Sequence, residues 1–324
     1  MRRPAPVLGF VALLAVVGAA ASCGGESDES SGGADALNEI AGEVASFDLA
    51  AGRDERFVIG FFTGDNRILA YGSVRLQFAF LGTDPVPEGA QVPVEQAVEA
   101  TFLPLAGQPV DPDKSGPVLV AQSEARGVYG AGRVRFDQAG FWLVNAEGTV
   151  DGEPFEAGAG FQVKAAPQVV AVGEPAPHTE NPVAGAPGVD PLAIDSRADD
   201  GEIPDPELHS TTVAGALAAG RPVVVIVSTP TFCISRFCGP ITEEVEKLAQ
   251  EFGDRVDFVH LEVWQDFEEQ AVNPAAAEWI APRDGGDLRE PWVFVVGADG
   301  LVAERFDNAV THADLRRAVE ALAG

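Results

Sequence analysis

From Phe57 to Val163 the chain alternates apolar and polar residues in short runs. Val74, Leu76, Phe78 and Phe80 occupy every second position, with Arg75, Gln77 and Ala79 between them. That is the period of a strand with one buried face. Val134 and Phe136 alternate in the same way with Arg133, Arg135 and Asp137, and Phe141–Val144 follows Ala139-Gly140. Asp151-Gly152, between the apolar Val150 and the run Phe155–Val163, is a two-residue hairpin signal. Short strands punctuated by turn residues, with little helical periodicity, predict an all-β sandwich over residues 46–165.

The pattern changes after that. Residues 166–208 are rich in Pro, Gly and Asp and read as a linker or lead-in. From His209 onward the signals alternate between helix and strand, which predicts an α/β domain over residues 209–324. Ser210 or Thr211 caps a short helix running to Ala219. Pro222–Val227 is a continuous apolar run, as in a central strand covered on both faces. Ile241, Val245, Leu248, Ala249 and Phe252 form one helical stripe, with Glu243, Glu244, Glu246 and Lys247 outside it. Val256–Val263 is a second strand and Ala275–Ile280 a helix. Trp292–Val296 and Leu301–Phe306 are strands joined at Ala298-Asp299-Gly300. Thr311 and Asp314 make a capping-box variant before a helix that buries Leu315, Val319 and Leu322.

The first residues read differently again. Arg2 and Arg3 precede an apolar stretch, Val7–Ala21, that is too short and wrongly flanked for an ordinary spanning helix. Residues 1–22 are therefore expected to be a secretory signal. Ala20-Ala21-Ser22-Cys23 resembles a bacterial lipobox, with Ala20 where Leu is usual. The resemblance implies lipidation at Cys23 and attachment to the outer side of the cell membrane. The Gly, Ser and acidic residues of 23–45 suit a flexible tether. The 324-residue chain carries 50 acidic against 21 basic side chains, a formal charge of −29. Such a surface repels phosphate backbones, so nucleic acid is excluded as a direct partner. With Cys23 lipidated, Cys233 and Cys238 are the remaining cysteines, in an oxidising compartment where they are expected to meet each other.

Two resemblances follow. Gly132–Gly152, GRVRFDQAGFWLVNAEGTVDG, looks like late strands of immunoglobulin-like modules of the bacterial envelope. The sandwich has no His and no Cys, which disfavours a copper site built from Met and His. From His209 the order helix, strand, cysteine turn, helix, strand, helix, strand, hairpin strand, helix resembles the thioredoxin-like superfamily, especially its membrane-anchored extracytoplasmic members. Pro222–Phe252, the Arg289-Glu290-Pro291-Trp292 opening of a strand and the Asp299-Gly300 hairpin carry the likeness. Val172-Gly-Glu-Pro-Ala-Pro is similar to the opening segment of such domains. The resemblance implies disulfide exchange with protein thiols and disulfides of the cell envelope, and no cofactor. It implies a cis proline at Pro291 shaping a docking edge. Cys233 at a helix N-terminus would be the attacking thiolate, favoured by the helix dipole, and Cys238 would resolve.

The spacing departs from that family. Cys-x-x-Cys is usual there, whereas four residues separate Cys233 from Cys238. In a regular helix, residues five apart have Cα atoms about 8.6 Å apart, beyond the roughly 7 Å limit of a disulfide. A Cys233–Cys238 bridge therefore requires the intervening segment to be unwound, with Gly239-Pro240 opening the regular helix. Other readings stay open. Phe237-Cys238-Gly239-Pro240-Ile241 is a second register in which Cys238 attacks. The Thr229-to-Gly239 run is similar to a peroxiredoxin subgroup, and two cysteines with a distant His are similar to a copper chaperone. A further alternative is a binding or scaffold protein stapled by a structural bridge. His260 is expected to be structural, and His178, His209 and His312 solvated. Arg236, between the cysteines, either steadies a thiolate or is exposed.

Overall fold

The computed structural model describes residues 10–12, 40–83, 91–108, 110–233 and 237–324. Cys23, Arg236, most of the tether and the leader other than Phe10–Ala12 lie outside the described residues. The chain divides into two compact units. One runs to Ala166 without Leu105–Gln108; the other comprises Leu105–Gln108 and Pro167–Gly324.

The first unit is built from strands. In chain order these are β1 (Phe10–Ala12), β2 (Ala41–Val44), β3 (Asp54–Phe62), β4 (Arg67–Ala70), β5 (Ser73–Gly82) and β6 (Gln91–Pro93). β7 (Gln96–Pro104), β8 (Val118–Ala121), β9 (Gly127–Arg135), β10 (Gly140–Val150) and β11 (Glu153–Val163) follow. β1 pairs with β6. The other nine form one antiparallel sheet in the order β11-β10-β5-β7-β9-β3-β4-β8, with β2 also on β3. Two separate sheets were expected; the hydrogen-bonded path is continuous instead. The sheet curls back on itself. A Cβ placed on Gly42 of β2 would stand 3.3 Å from the Gly158 carbonyl oxygen of β11, at the far end of the path.

The alternating side chains explain the curl, because they supply the core inside it. Phe57 and Phe78 meet edge to face at 4.9 Å, and Phe136 lies 5.4 Å from Phe161 and 5.1 Å from Trp142. Edge-on ring pairs of this kind add to the burial of their apolar area. Tyr129, fully buried, donates its hydroxyl to the Tyr71 carbonyl at 2.5 Å. The Asp151-Gly152 hairpin forms as its residues dictate, with φ of 53° and 86° joining β10 to β11.

The second unit centres on four strands: β12 (Val223–Ser228), β13 (Asp257–Glu262), β16 (Trp292–Val296) and β17 (Val302–Asp307), in the order β13-β12-β16-β17. β12 runs parallel to β13 and antiparallel to β16. Every residue of β12 is buried, which is why its apolar run does not alternate. A small hairpin, β14 (Trp264–Asp266) with β15 (Ala271–Val272), follows β13. Helices span Val213–Ala218, Cys238–Phe252, Pro274–Ile280 and His312–Ala323. Thr212 caps the first, one residue beyond the expected Ser210 or Thr211, by accepting the Gly215 N–H. Thr311 caps the last through the Asp314 N–H, as its capping-box pattern predicts. The Cys238–Phe252 helix buries the predicted stripe and also Glu244. That carboxylate was expected outside; it lies against His312 and, at 3.6 Å, Lys247. No helix among the described residues is long and apolar enough to cross a membrane.

Residues 166–208, expected as linker or lead-in, belong to the second unit, apart from Ala166. The Gly173 N–H donates to Val302, the Val302 N–H to Glu174 and the Ala176 N–H to Gly300, all at 2.8–2.9 Å. The segment therefore lies along the start of β17. Thr179, Asn181, Asp195 and Ser196 are buried by hydrogen bonding rather than by apolar periodicity. The Thr179 hydroxyl accepts the Trp279 indole N–H at 2.9 Å, and Asn181 accepts the Val213 N–H at 2.9 Å.

Candidate functional site

Cys233 and Cys238 are joined by a disulfide, with Cα atoms 6.0 Å apart. β12 ends at Ser228 and the chain turns through Thr229–Phe232 to reach Cys233. Cys233 lies before the helix, so the two cysteines are not held at the helical spacing that would keep them too far apart. Cys238 is the first residue of the helix, two positions earlier than Gly239-Pro240 was expected to open it. The Cys238 N–H donates to Cys233 Sγ at 3.4 Å. The helix thus aims one of its unpaired N-terminal donors at that sulfur. Cys238 is fully buried and Cys233 half-buried, so one sulfur of the pair is reachable and the other is not.

Pro291 is buried at the head of β16 and follows a cis peptide bond from Glu290. Its carbonyl oxygen already accepts the Asn308 N–H at 2.9 Å, so that atom is taken within the domain. A carboxylate oxygen of Glu290 and both cysteine sulfurs all lie within 4.8 Å of one another. Burial pushes the Glu290 carboxyl up to about 7, and the negative charge of Glu262 adds to the rise. Glu262, almost fully buried, is itself raised by desolvation, against the pull of His260 and of hydrogen bonds from Thr229 and Ser196. It accepts the Ser196 N–H at 2.9 Å.

An aromatic ledge stands next to the disulfide. The rings of Phe232 and Phe267 stack in parallel at 3.9 Å, and Trp264 meets Phe267 edge-on at 5.6 Å. Phe267, on the hairpin between β14 and β15, is 41% exposed. Asp266, Glu268 and Glu269 around it are exposed.

Behind the cysteine turn lies a buried polar hub. Asp195 Oδ2 stands 3.2 Å from His209 Nε2 and 3.4 Å from His260 Nδ1, and it accepts from Arg197 at 2.7 Å. His260 Nε2 also lies 3.1 Å from the Ser228 hydroxyl. Hydrogen bonds from His209, His260 and Arg197 outweigh burial and hold the Asp195 carboxyl far below the usual range. His209 is held below its ordinary value chiefly by burial. His209 was expected to be solvated; it is 1% exposed, because Asp195 gives its ring a partner in the interior. His260 is structural in its contacts. Neither donor set suits a metal ion as it stands. Arg197 already places a positive charge on Asp195, and the two sulfurs are bonded to each other and offer no thiolate.

The structure joins Cys233 to Cys238 and brings Glu290, the residue bonded to Pro291, to the two sulfurs. Cys23 lies outside the described residues. Sequence reasoning missed Glu290, Glu262, Ser196 and Asp195. Glu290 had a readable signal, a carboxylate directly before Pro291; the other three gain their roles only through distant partners.

No protein-family model and no curated protein matches the chain. Among solved structures, one titled "Crystal structure of BslA - A bacterial hydrophobin" is similar at 12% identity, covering 38% of this chain and 95% of its own, with a TM-score of 0.18.

Proposed function

We propose that the chain is an extracytoplasmic thiol-disulfide oxidoreductase whose second unit has a thioredoxin-like fold, held at the cell membrane by lipid on Cys23. Cys233 attacks, Cys238 resolves, and protein thiols or disulfides of the envelope are the partners. The observation that carries the reading is the asymmetry of the pair: a half-buried Cys233 sulfur receiving a helix N-terminal N–H, bonded to a fully buried Cys238. That is the arrangement in which one sulfur meets a partner and the other waits behind it. The strand order, with one parallel pair and the cysteine turn between β12 and the following helix, supports the fold assignment. The cis Glu290-Pro291 bond, next to a carboxylate that reaches the sulfurs, and the Phe232–Phe267 ledge support a shaped, partly apolar margin.

A redox titration of the chain, with thiols trapped and read by mass spectrometry, tests this. The expected midpoint lies between about −120 and −270 mV, the range of exchange-active dithiols. A midpoint below about −300 mV would instead mark a structural staple, and the chain would be a stapled binding module.

A further inference from the structure

We propose that, once the Cys233–Cys238 bridge is opened, the two sulfurs and the carboxylate of Glu290 form a binding site for Zn2+. The proposal goes beyond the exchange reading and does not rest on it, since a staple that can be opened would carry the same site. It stands on geometry. Both sulfurs and a Glu290 carboxylate oxygen already lie within 4.8 Å of one another. Zn–S bonds of about 2.3 Å and a Zn–O bond of about 2.1 Å at tetrahedral angles set such donors roughly 3.6–3.8 Å apart. The donors therefore start within reach of one ion, and opening the bridge lets the sulfurs part to its spacing. Four residues separate the cysteines. That departs from Cys-x-x-Cys but falls within the roughly two to four residues between paired cysteines of zinc sites.

The surroundings suit two thiolates with a cation between them. Cys238 opens its helix, and its N–H donates to Cys233 Sγ at 3.4 Å, a bond that steadies sulfur charge behind an ion. Cys238 is fully buried, whereas Cys233 and Glu290 are half-buried. One ligand thus anchors from the interior while the ion enters from the solvent side. The donor set names the metal. Among the described residues no imidazole joins it, and His209 and His260 are engaged with Asp195. Two soft sulfurs with one hard oxygen suit borderline Zn2+ better than Cu+, for which a carboxylate is a poor ligand. Three protein ligands leave the fourth position to water. Opening the bridge takes two electrons and two protons from a dithiol, which is itself closed to a disulfide. Zn2+ then displaces both thiol protons, and any proton on Glu290, to water. Two Zn–S bonds and one Zn–O bond form, and no electron moves in this step. While the ion stays, the two sulfurs do not rejoin.

The test uses the full chain with Cys23→Ser, so that two thiols remain. The chain is reduced, freed of reductant without air, and titrated with Zn2+ alone against a chromogenic chelator, with Co2+ as the optical stand-in. The bridged chain is the control for loose binding to the acidic surface. Expected are one tightly held Zn2+ per reduced chain, sulfur-to-cobalt charge transfer in the near ultraviolet, and no such site in the bridged chain. Glu290→Gln should weaken binding by about ten- to a hundredfold while the charge-transfer band persists, because both sulfurs are still present. Equal affinity of the reduced and bridged chains overturns the proposal, as does a bridge that stays closed in the folded protein. Unchanged affinity in Glu290→Gln overturns it too. A gain of ligand guards against a variant that merely fails to fold: Glu290→Cys should raise the number of sulfurs around zinc from two to three in X-ray absorption. A shell that keeps two sulfurs there overturns the site.

Discussion

Ser196 and Thr231 hold each other twice: the Ser196 hydroxyl accepts the Thr231 N–H at 3.1 Å, and the Ser196 carbonyl accepts the Thr231 hydroxyl at 2.8 Å. Ser196 also donates its own N–H to Glu262. One residue of the lead-in therefore fixes the turn that delivers Cys233 and the carboxylate that acts on Glu290.

Thr231→Val removes the hydroxyl donor and leaves the Ser196 carbonyl without that bond. The expected cost is about 1 kcal/mol, read by denaturant unfolding. Dithiothreitol should also reduce the disulfide faster, because the turn before Cys233 is less firmly held. A reduction rate equal to wild type would show that the strap does not govern access.

Asp195→Asn should be far more damaging. The carboxylate neutralises Arg197 and meets two buried imidazoles. Removing its charge leaves Arg197 with Asp205 alone and weakens the contacts to the two imidazoles, a loss of about 2 kcal/mol. A midpoint in urea within error of wild type would contradict the hub described above.

Glu290 sets a pH dependence of stability. Its ordinary value of 4.5 rises to about 7 in the folded chain, so the folded state binds the proton more tightly. That contribution is fully present below 4.5 and is lost as pH rises through 7. Glu290→Gln keeps the neutral form at every pH. It should therefore stabilise the chain relative to wild type at pH 8 and leave it nearly unchanged at pH 4.5. Thermal melts at the two pH values decide, and an equal effect at both would mean the carboxyl is not raised.

On the exchange reading, Cys238→Ser should accumulate a mixed disulfide at Cys233, whereas Cys233→Ser should trap nothing because Cys238 is buried. Mass spectrometry of adducts formed with a cysteine peptide reads this directly. Adducts on Cys238 in the Cys233→Ser chain would support the register in which Cys238 attacks.

Gly72→Ala tests the first unit. Gly72 has φ of +56°, and an added Cβ would fall 2.7 Å from the backbone at Gly116 and Pro117. The left-handed backbone alone costs a side chain about 1 kcal/mol, and the clash adds to it. Unfolding of this unit should shift while the rate at which dithiothreitol reduces the Cys233–Cys238 disulfide stays at wild type.

The elements that could be read from the sequence are those whose burial is apolar. β12 announces itself because both faces are covered, and the β10–β11 hairpin because Asp151-Gly152 permits few other turns. The stripe of the Cys238–Phe252 helix was legible for the same reason, and Glu244 within it was not, since its burial depends on His312, 68 residues away. Residues 166–208 carry no period because they are fixed by hydrogen bonds that Thr179, Asn181 and Ser196 accept from Trp279, Val213 and Thr231. Of the site, the two cysteines and Pro291 could be named from spacing and likeness. The raised carboxyls of Glu262 and Glu290 could not, because each is shifted by burial and by a proximity that the fold creates.

The run of bonds from residues 173–176 onto Gly300 and Val302 has a consequence for colloidal behaviour. A strand at the rim of a sheet is a template on which another chain can add. By lying along the start of β17, the lead-in occupies backbone groups that would otherwise invite a neighbour. Pro175 and Pro177 in that stretch lack the N–H that a further strand would need. Cutting the lead-in away should therefore turn a dispersed protein into one that associates edge to edge, visible as concentration-dependent growth in light scattering.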